Sequence, residues 1–487
     1  MPYVDLFSRD DFAQLYYHAN TPTGSVSGFD PAKATLVLLH PFAFDLTWTA
    51  SQMEDPRLGD RYNVIAFDSR FSGKSRTKLS GRLDYWVLAA DLAYAIQTLR
   101  LAPAHVWAEG AESTNVAMRF AMLFPEMCLS LALVSVPPPT ESRRFCISAD
   151  DVLKMWGLAE SLEDFEHANQ ELVEITVGNL TPPDELDRIV TFWQQTYPPT
   201  HRARFMGLMS LMLNRVPLTP SQLENIHQPV LLIHGEKNEL HSVKHAERLQ
   251  SRLSGAKGGA RLAVIRGCDG FLSLQPSSSS IANQFYAKFL SSLPPARSDF
   301  ITRPLSIPRR MAIALQDLAD ITHHPDVEDR DPLSCLSFSL VTPEVEKMQK
   351  DAFTRYHRGQ RNAYSPLRPD GRPFREYSTR HNDHWFTSDG VDGLSHATGK
   401  AVAVQSVQEQ RKGSLPSPQL PAMVEPSDSS STSTSAPSTP TDYSLSLKLQ
   451  RTASNTQAAI ERLSNPRNTS SRGSLINGSP LTRYLSP

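Results

Sequence analysis

The chain has 487 residues, with 49 Lys and Arg against 51 Asp and Glu and a formal net charge of −2. This balance argues against a nucleic-acid partner and against binding to an anionic membrane surface. The four cysteines stand at wide, unpatterned spacing, so they predict neither a zinc site nor a disulfide framework, and we expect no metal and no cofactor.

The N-terminal residues contain no basic region followed by an apolar one, so we expect no secretory signal. The sequence also has no run of about 18 apolar residues, which is the length that a membrane span needs. We therefore expect a cytoplasmic protein.

Continuous apolar runs recur along residues 1–295, and such runs are typical of strands covered on both faces of a mainly parallel sheet. They lie at residues 34–40, 61–68, 105–108, 131–136, 229–234 and 261–265. Residues 15–19 predict an additional strand at the edge of the sheet. Helical periodicity follows at residues 85–99 and 281–290.

Residues 148–217 show helical patterns only, at 150–158, 162–177 and 184–195. Strands, a block of helices and strands again predict a doubly wound α/β sheet with a helical lid inserted over its carboxyl edge, where ligands bind in such sheets. The predicted units are an N-terminal edge segment (1–32), a core in two parts (33–147 and 218–295), the lid (148–217), a partly helical extension (296–410) and a disordered Ser/Thr/Pro-rich tail (411–487).

The segment His105–Glu126 is typical of a strand, a tight turn of small residues and a buried helix. An α/β-hydrolase presents its nucleophile in this context, usually as G-x-S-x-G. Counting back from Phe124 puts Ala111 at the nucleophile position. The small-residue pattern that starts at Gly110 puts Glu112 there, and counting forward from the strand allows Gly110 itself. No Ser, Cys or Asp falls on the turn in any of these registers.

Five segments in sequence order resemble the α/β-hydrolase superfamily over about residues 33–292. They are Leu38–Phe42 (LLHPF), Ala66–Ser75 (AFDSRFSGKS), the run LVSVPPP after the elbow helix, Pro229–Leu240 (PVLLIHGEKNEL) and Ile265–Pro276 (IRGCDGFLSLQP). The resemblance implies the α/β-hydrolase fold, with a nucleophile, an acid and a histidine on three separate loops. It also implies an oxyanion hole of backbone N–H groups from the residue after the nucleophile and from the turn at Phe42.

The same resemblance assigns the loops that carry the triad. Gly270 stands at the histidine position, and Asn238 stands at the acid position. Glycine cannot transfer a proton, and an amide cannot stabilise imidazolium by charge. With Ala111 or Glu112 at the elbow, we predict a pseudo-hydrolase that binds a small carbonyl or carboxylate ligand under the lid. The candidate oxyanion and pocket residues are Phe42, Glu112, Trp107 and Trp156.

An active hydrolase with a displaced catalytic constellation is the alternative. Glu112 would attack as a carboxylate nucleophile, or Ser113 would attack with help from Asp269 and a histidine. The candidate histidines are His40, His234 and His241. Structural roles compete with these: His40 matches the histidine of the family's first turn, and Ser113 suits the free N–H groups in the first turn of a helix.

The C-terminal third predicts helices at 308–321 and after Thr342-Pro343-Glu344, where a cap, a first-turn proline and an acid coincide. We interpret His381–His384 as a solvated polar turn rather than a metal site. Ser-Pro and Thr-Pro pairs in residues 411–487 predict phosphorylation and a phospho-dependent protein partner, so an interaction scaffold acting through this tail is a third hypothesis. The aromatic residues expected to dock onto the core or a partner are Phe374, Tyr377, Trp385 and Phe386.

Overall fold

A computed structural model describes residues 2–177, 181–238, 241–299 and 305–379. In these residues, nine strands form a single sheet. The strands are β1 (Tyr3–Phe7), β2 (Phe12–Ala19), β3 (Thr35–Leu39), β4 (Asn63–Phe67), β5 (Arg76–Thr77), β6 (Ala104–Glu109), β7 (Cys128–Val134), β8 (Val230–Gly235) and β9 (Arg261–Ile265). The predictions for His381–His384, Trp385, Phe386 and the tail 411–487 lie outside the described residues.

The sheet has the order β1-β2-β4-β3-β6-β7-β8-β9, with the short strand β5 paired to β2. The pairs from β4 through β3, β6, β7 and β8 to β9 are parallel, whereas β2 is antiparallel to both β1 and β4. This confirms the doubly wound, mainly parallel sheet. The strand predicted at 15–19 is present as part of β2, but its predicted place at the edge is wrong, because β1 pairs with β2 along Tyr3–Phe7 and takes the edge itself.

The central strands are buried on both faces, as their continuous apolar runs predict. In β3, Val37 and Leu39 belong to the larger hydrophobic core, whereas Leu36 and Leu38 belong to the core on the opposite face of the sheet. The parallel register aligns Leu39 of β3 with Ala108 of β6. The carboxyl ends of these strands therefore meet along one edge, where the elbow and the other predicted site loops lie.

Helices cover both faces of this sheet. They are α1 (Ala50–Met53), α2 (Pro56–Gly59), α3 (Tyr85–Thr98), α4 (Gly110–Leu123), α5 (Arg143–Leu158), α6 (Leu162–Thr176), α7 (Pro183–Thr196), α8 (Arg202–Leu213), α9 (Pro220–Glu224), α10 (Val243–Arg252), α11 (Pro276–Ser291), α12 (Ile307–Thr322) and α13 (Pro343–His357). None of these helices has both the length and the apolar composition that crossing a membrane requires.

Helices α5 to α8 form a helical insertion, residues 143–213, between β7 and β8. The insertion begins earlier than residue 148 because Ser142 caps α5, accepting a 3.1 Å hydrogen bond from the Phe145 N–H. Its interior is aromatic: the Trp156 ring lies 4.7 Å from the Phe165 ring and 5.0 Å from the Phe205 ring. Burial of these large side chains gives the insertion a hydrophobic core that is continuous with the larger core of the protein.

The chain after the core packs back onto it. Helix α12 lies against α3 and α4, and Arg310 donates hydrogen bonds of 2.5 Å to the Leu123 carbonyl and to Glu126. Helix α13 lies against α8 of the insertion. Its start is confirmed, because the Thr342 hydroxyl accepts the Val345 N–H. Residues 305–379 are therefore part of the packed structure.

Candidate functional site

The elbow between β6 and α4 turns at Gly110, which has a φ of 82°. This left-handed conformation strains any residue with a Cβ atom, and glycine adopts it without a steric penalty. A Cβ atom at this position would lie 2.6 Å from Cε1 of the Phe271 ring. We therefore infer that the elbow residue is Gly110, one of the three registers that the sequence allows, rather than Ala111 or Glu112, which follow it in the first turn of α4.

Backbone N–H groups are available beside this turn. Glu109, the residue before α4, makes no side-chain cap, so the first-turn N–H groups of α4, including that of Ala111, keep their donor capacity. Phe42 is buried in the loop after β3 and lines the same cavity as Ala111. The Trp193 indole fixes this loop from the insertion by donating a 3.0 Å hydrogen bond to the Ala43 carbonyl.

The two loops predicted to carry the acid and the histidine touch each other. The Asn238 Nδ2 group donates a 3.3 Å hydrogen bond to the Gly270 carbonyl, and the Asn238 Oδ1 atom accepts a 2.8 Å bond from the His241 N–H. Gly270 has a φ of 59°, and a Cβ atom there would overlap the Val177 carbonyl oxygen. Asp269 accepts the Gly270 N–H at 2.7 Å and so stabilises its own loop.

A cavity of about 30 Å³ lies between this edge of the sheet and the helical insertion. Its wall is mainly apolar, and Glu141 and His241 are the ionisable groups in it. The residues that line it are Phe42, Ala111, Glu141, Phe145, Ala149, Val152, Leu172, Thr176, Met209, Met212, His241 and Phe271. A site of this kind suits a small molecule whose surface is mostly apolar.

Glu141 puts a negative charge into that wall. Its carboxylate accepts a 2.9 Å hydrogen bond from Arg215 and lies 3.3 Å from His241 Nε2. Burial opposes ionisation, but His241 and Arg215 together lower the pKa of Glu141 to about 2. Glu141 is therefore ionised at neutral pH, and its charge disfavours an anionic group in the cavity.

Three residues of the displaced constellation, His40, Glu112 and Ser113, line a second cavity of about 40 Å³ beside β2, β3, β4, α3 and α4, whereas Asp269 does not line it. His40 accepts the Ser69 N–H at Nε2 (3.1 Å), so its Nδ1 carries the proton donated to the Pro41 carbonyl (2.9 Å). The Ser113 hydroxyl donates to the His40 carbonyl. His40 therefore has no free nitrogen to act as a base for Ser113.

Glu112 lines this second cavity and not the one under the insertion. Its Oε2 atom has no hydrogen-bond partner within the described chain. Burial raises the pKa of Glu112, although His40 and Ser69 oppose the shift. The structure thus places Glu112, Ser113 and His40 together, but without the hydrogen-bond chain that activates a nucleophile.

Three further candidates lie in structural positions. His234 bonds the His241 carbonyl at 2.7 Å, and burial lowers the pKa of His234 to about 4. Trp107 packs against Tyr286 in the core on the opposite face of the sheet, so it is not a pocket residue. Trp156 lies inside the insertion and donates to the Tyr197 carbonyl at 2.6 Å, which corrects its assignment to the pocket. Across the described ranges, no cluster of His, Cys, Asp and Glu could hold a metal ion.

Sequence reasoning missed Glu109, the fully buried residue that ends β6. Its Oε1 atom accepts the Leu272 N–H at 2.5 Å and the Ser273 N–H at 3.2 Å. Burial raises the pKa of Glu109 to about 7, against the effect of these hydrogen bonds. Glu109 therefore ties the loop of Gly270 to the elbow. The signal in the sequence was an acid at the end of a buried apolar strand.

The comparisons with known proteins concern this same region. A family model described as the alpha/beta hydrolase fold matches residues 35–269. A putative lipase from Acinetobacter baumannii is 19% identical, covering 59% of this chain and 90% of its own, with a TM-score of 0.44. An esterase from Exiguobacterium antarcticum is 17% identical, covering 59% and 98%, with a TM-score of 0.45. An esterase from a Rhodococcus species is 17% identical, covering 60% and 100%, with a TM-score of 0.47. No curated protein matches the sequence.

Proposed function

We propose that this chain uses an α/β-hydrolase fold, whose family model matches residues 35–269, to bind a small carbonyl compound without hydrolysing it. The observation that carries the proposal is the elbow. Gly110 offers no nucleophile, and the Phe271 ring fills the space in which a nucleophilic side chain would stand. Hydrolysis by a Ser-His-Asp triad requires a hydroxyl at this point.

The other two triad positions support the same conclusion. Gly270 provides no general base, and the Val177 carbonyl occupies the space in which an imidazole would begin. Asn238 stands at the position of the acid, but its amide donates a hydrogen bond to the Gly270 carbonyl and accepts one from the His241 N–H. The three positions still lie together, as the fold requires, yet none of them carries the group that catalysis uses.

The cavity under the insertion indicates the class of ligand. The proposed binding mode directs a carbonyl oxygen to the backbone N–H groups of Phe42 and Ala111, with the apolar part of the ligand among the apolar side chains. The ionised Glu141 in the wall favours a neutral ketone, ester or amide over a carboxylate. A cavity of about 30 Å³ holds roughly two water molecules, so the insertion acts as a lid that moves outward when a ligand binds.

Binding and turnover are tested together on the full chain. Acetophenone resembles an aryl ester but has no leaving group, so its binding can be followed by saturation-transfer NMR without any chemistry. We expect saturable binding that weakens at least tenfold in Ala149→Val, which fills the cavity, and not in Ala287→Val, a matched change in the opposite core. Short-chain nitrophenyl esters should show no turnover above the blank. Absence of acetophenone binding, or ester turnover by the wild-type chain, would refute the proposal.

The displaced-site hydrolase keeps one specific observation in its favour, which is the unpartnered Oε2 atom of Glu112. Glu112, however, lines the second cavity, which Phe42 and Ala111 do not line. Ester turnover that is lost in Glu112→Gln or in Ser113→Ala would establish this alternative. The tail hypothesis makes a different prediction, because removal of residues 411–487 should then leave acetophenone binding unchanged and abolish partner binding.

A further inference from the structure

The segment 342–379, named the strap here, crosses the outside of the helical insertion. The Arg202 guanidinium of α8 donates to the Tyr356 carbonyl at 2.6 Å and to the Arg358 carbonyl at 2.5 Å. Gly157 of α5 lies so close that a Cβ atom there would be 3.1 Å from the Tyr356 ring. Phe353 and Tyr356 are buried, so the first part of the strap is held by apolar packing as well as by hydrogen bonds.

The end of the strap is held differently. Arg375 forms a bidentate ion pair with Glu166 of α6. The Ser378 N–H and the Ser378 hydroxyl each donate a 2.6 Å hydrogen bond to the carboxylate of Asp187 on α7. Residues 368–379 are exposed or half-buried throughout, and Tyr377 is the residue of this end that packs against the hydrophobic core, so polar contacts carry much of its attachment. A change of charge at one of these contacts should therefore weaken the attachment of the strap end to α6 and α7.

We propose that Ser378 is a phosphorylation site and that its modification releases the end of the strap from α7. A serine kinase would transfer the γ-phosphoryl group of ATP to Ser378 Oγ. The Oγ–P bond forms, the bond from the γ-phosphorus to ADP breaks, and the hydroxyl proton passes to the base of the kinase. The half-buried hydroxyl lies three residues after Arg375, in the spacing that basic-directed serine kinases recognise.

The electrostatics of the contact give the direction of the effect. Phosphorylation removes the Oγ–H donor and adds about −1.5 to −2 charges directly opposite the Asp187 carboxylate. Helix α7 carries Asp184 and Glu185 in its first turn, and Arg188 there is already paired with Glu185 at 2.7 Å. The phosphate and the Asp187 carboxylate would repel each other at hydrogen-bond distance, and both would lose hydration there. The contact between Ser378 and Asp187 should therefore open.

Release of the strap end would also free Glu166 on α6 and Asp187 on α7. Both helices belong to the insertion that covers the cavity. This consequence for ligand access rests on the proposed function. The release itself does not, because it concerns only the contact between residues 371–379 and α7. The two ideas can therefore fail separately.

The test uses the full chain with phosphoserine encoded at position 378, together with Ser378→Glu and Ser378→Ala. Hydrogen exchange is followed in peptides covering 371–379 and 183–196. We expect exchange to rise at least tenfold with phosphoserine or with Ser378→Glu, and less than threefold with Ser378→Ala, which loses only the hydroxyl. In Ser378→Glu combined with Asp187→Lys, attraction replaces repulsion and exchange should return to the wild-type rate.

Two outcomes would overturn the proposal. Equal exchange in Ser378→Ala and in the phosphoserine protein would mean that the hydroxyl is a structural hydrogen bond and no switch. Unchanged exchange with phosphoserine would mean that Arg375 leaves Glu166 for the new phosphate and keeps the strap in place. Incubation with a basic-directed serine kinase and ATP, followed by mass spectrometry, should add phosphate at Ser378, and a chain left unmodified there also contradicts the proposal.

Discussion

The closed elbow can be tested by putting a serine back at its turn. Gly110 has a φ of 82°, and a residue with a Cβ atom in this left-handed region costs about 1–2 kcal/mol. The new Cβ atom would also lie 2.6 Å from the Phe271 ring, and overpacking of a filled core costs typically about 1–3 kcal/mol. Gly110→Ser should therefore lower the free energy of unfolding by about 2–5 kcal/mol, measured by urea denaturation.

Gly258→Ser is the matched control, because Gly258 has a φ of 76° and no atom within 4 Å of its Cβ position. It should show the backbone strain alone, so the difference between the two variants measures the clash with Phe271. A loss below about 0.5 kcal/mol in Gly110→Ser, the ordinary size of a harmless surface change, would refute the argument that the elbow is filled. Labelling of position 110 by a fluorophosphonate, with ester turnover, would refute the proposal that the chain does not hydrolyse esters.

Further predictions follow from single contacts. Burial raises the pKa of Glu109 from 4.5 to about 7, so between those values the folded chain holds a proton that the unfolded chain has lost. Stability should therefore fall as pH rises from 4.5 to 7, by on the order of 3 kcal/mol relative to Glu109→Gln, as seen by urea denaturation at each pH. Gly270→His should destabilise the chain by about 2–4 kcal/mol through strain and overlap with the Val177 carbonyl, and it should yield no ester turnover; a stable, active variant would contradict the closed site. Arg202→Ala should lower the free energy of unfolding by about 2 kcal/mol and speed proteolysis within 343–379. Arg309 is exposed, so Arg309→Ala should change neither the free energy of unfolding nor the rate of proteolysis.

The central strands could be predicted because each is buried on both faces and so appears as an unbroken apolar run. The edge strand β1 could not, since the exposed Asp5 interrupts Tyr3–Phe7 and leaves no unbroken apolar run. Its existence decides that β2 is internal, and this pairing is a tertiary fact that no local pattern contains. Phe7 and Phe12, which stack at 5.1 Å across the hairpin and stay exposed, gave no signal of a core.

The site was predicted in part for a similar reason. The order of segments along the chain is enough to bring Asn238 and Gly270 together, because β8 and β9 are neighbours in the sheet and their following loops must meet. The elbow register depends instead on where β6 stops, which the pairing of Glu109 with Val134 in β7 decides. The direction of side chains was the weakest inference. Trp107 faces the core on the side of the sheet away from the pocket, and a shift of one residue in the register of β6 would reverse the face.

The groups that close the site are neighbours of the groups that catalysis would need. Phe271 follows Gly270 in the chain and covers Gly110, while Val177 at the end of α6 covers Gly270. Glu109 fixes this arrangement, since its carboxylate holds the Leu272 and Ser273 N–H groups and so sets the position of Phe271 above the elbow. A serine restored at position 110 and a histidine restored at position 270 would still meet a filled space. Hydrolysis would require the loop of Phe271 and the end of α6 to move as well, whereas binding at Phe42 and Ala111 requires only that the insertion open.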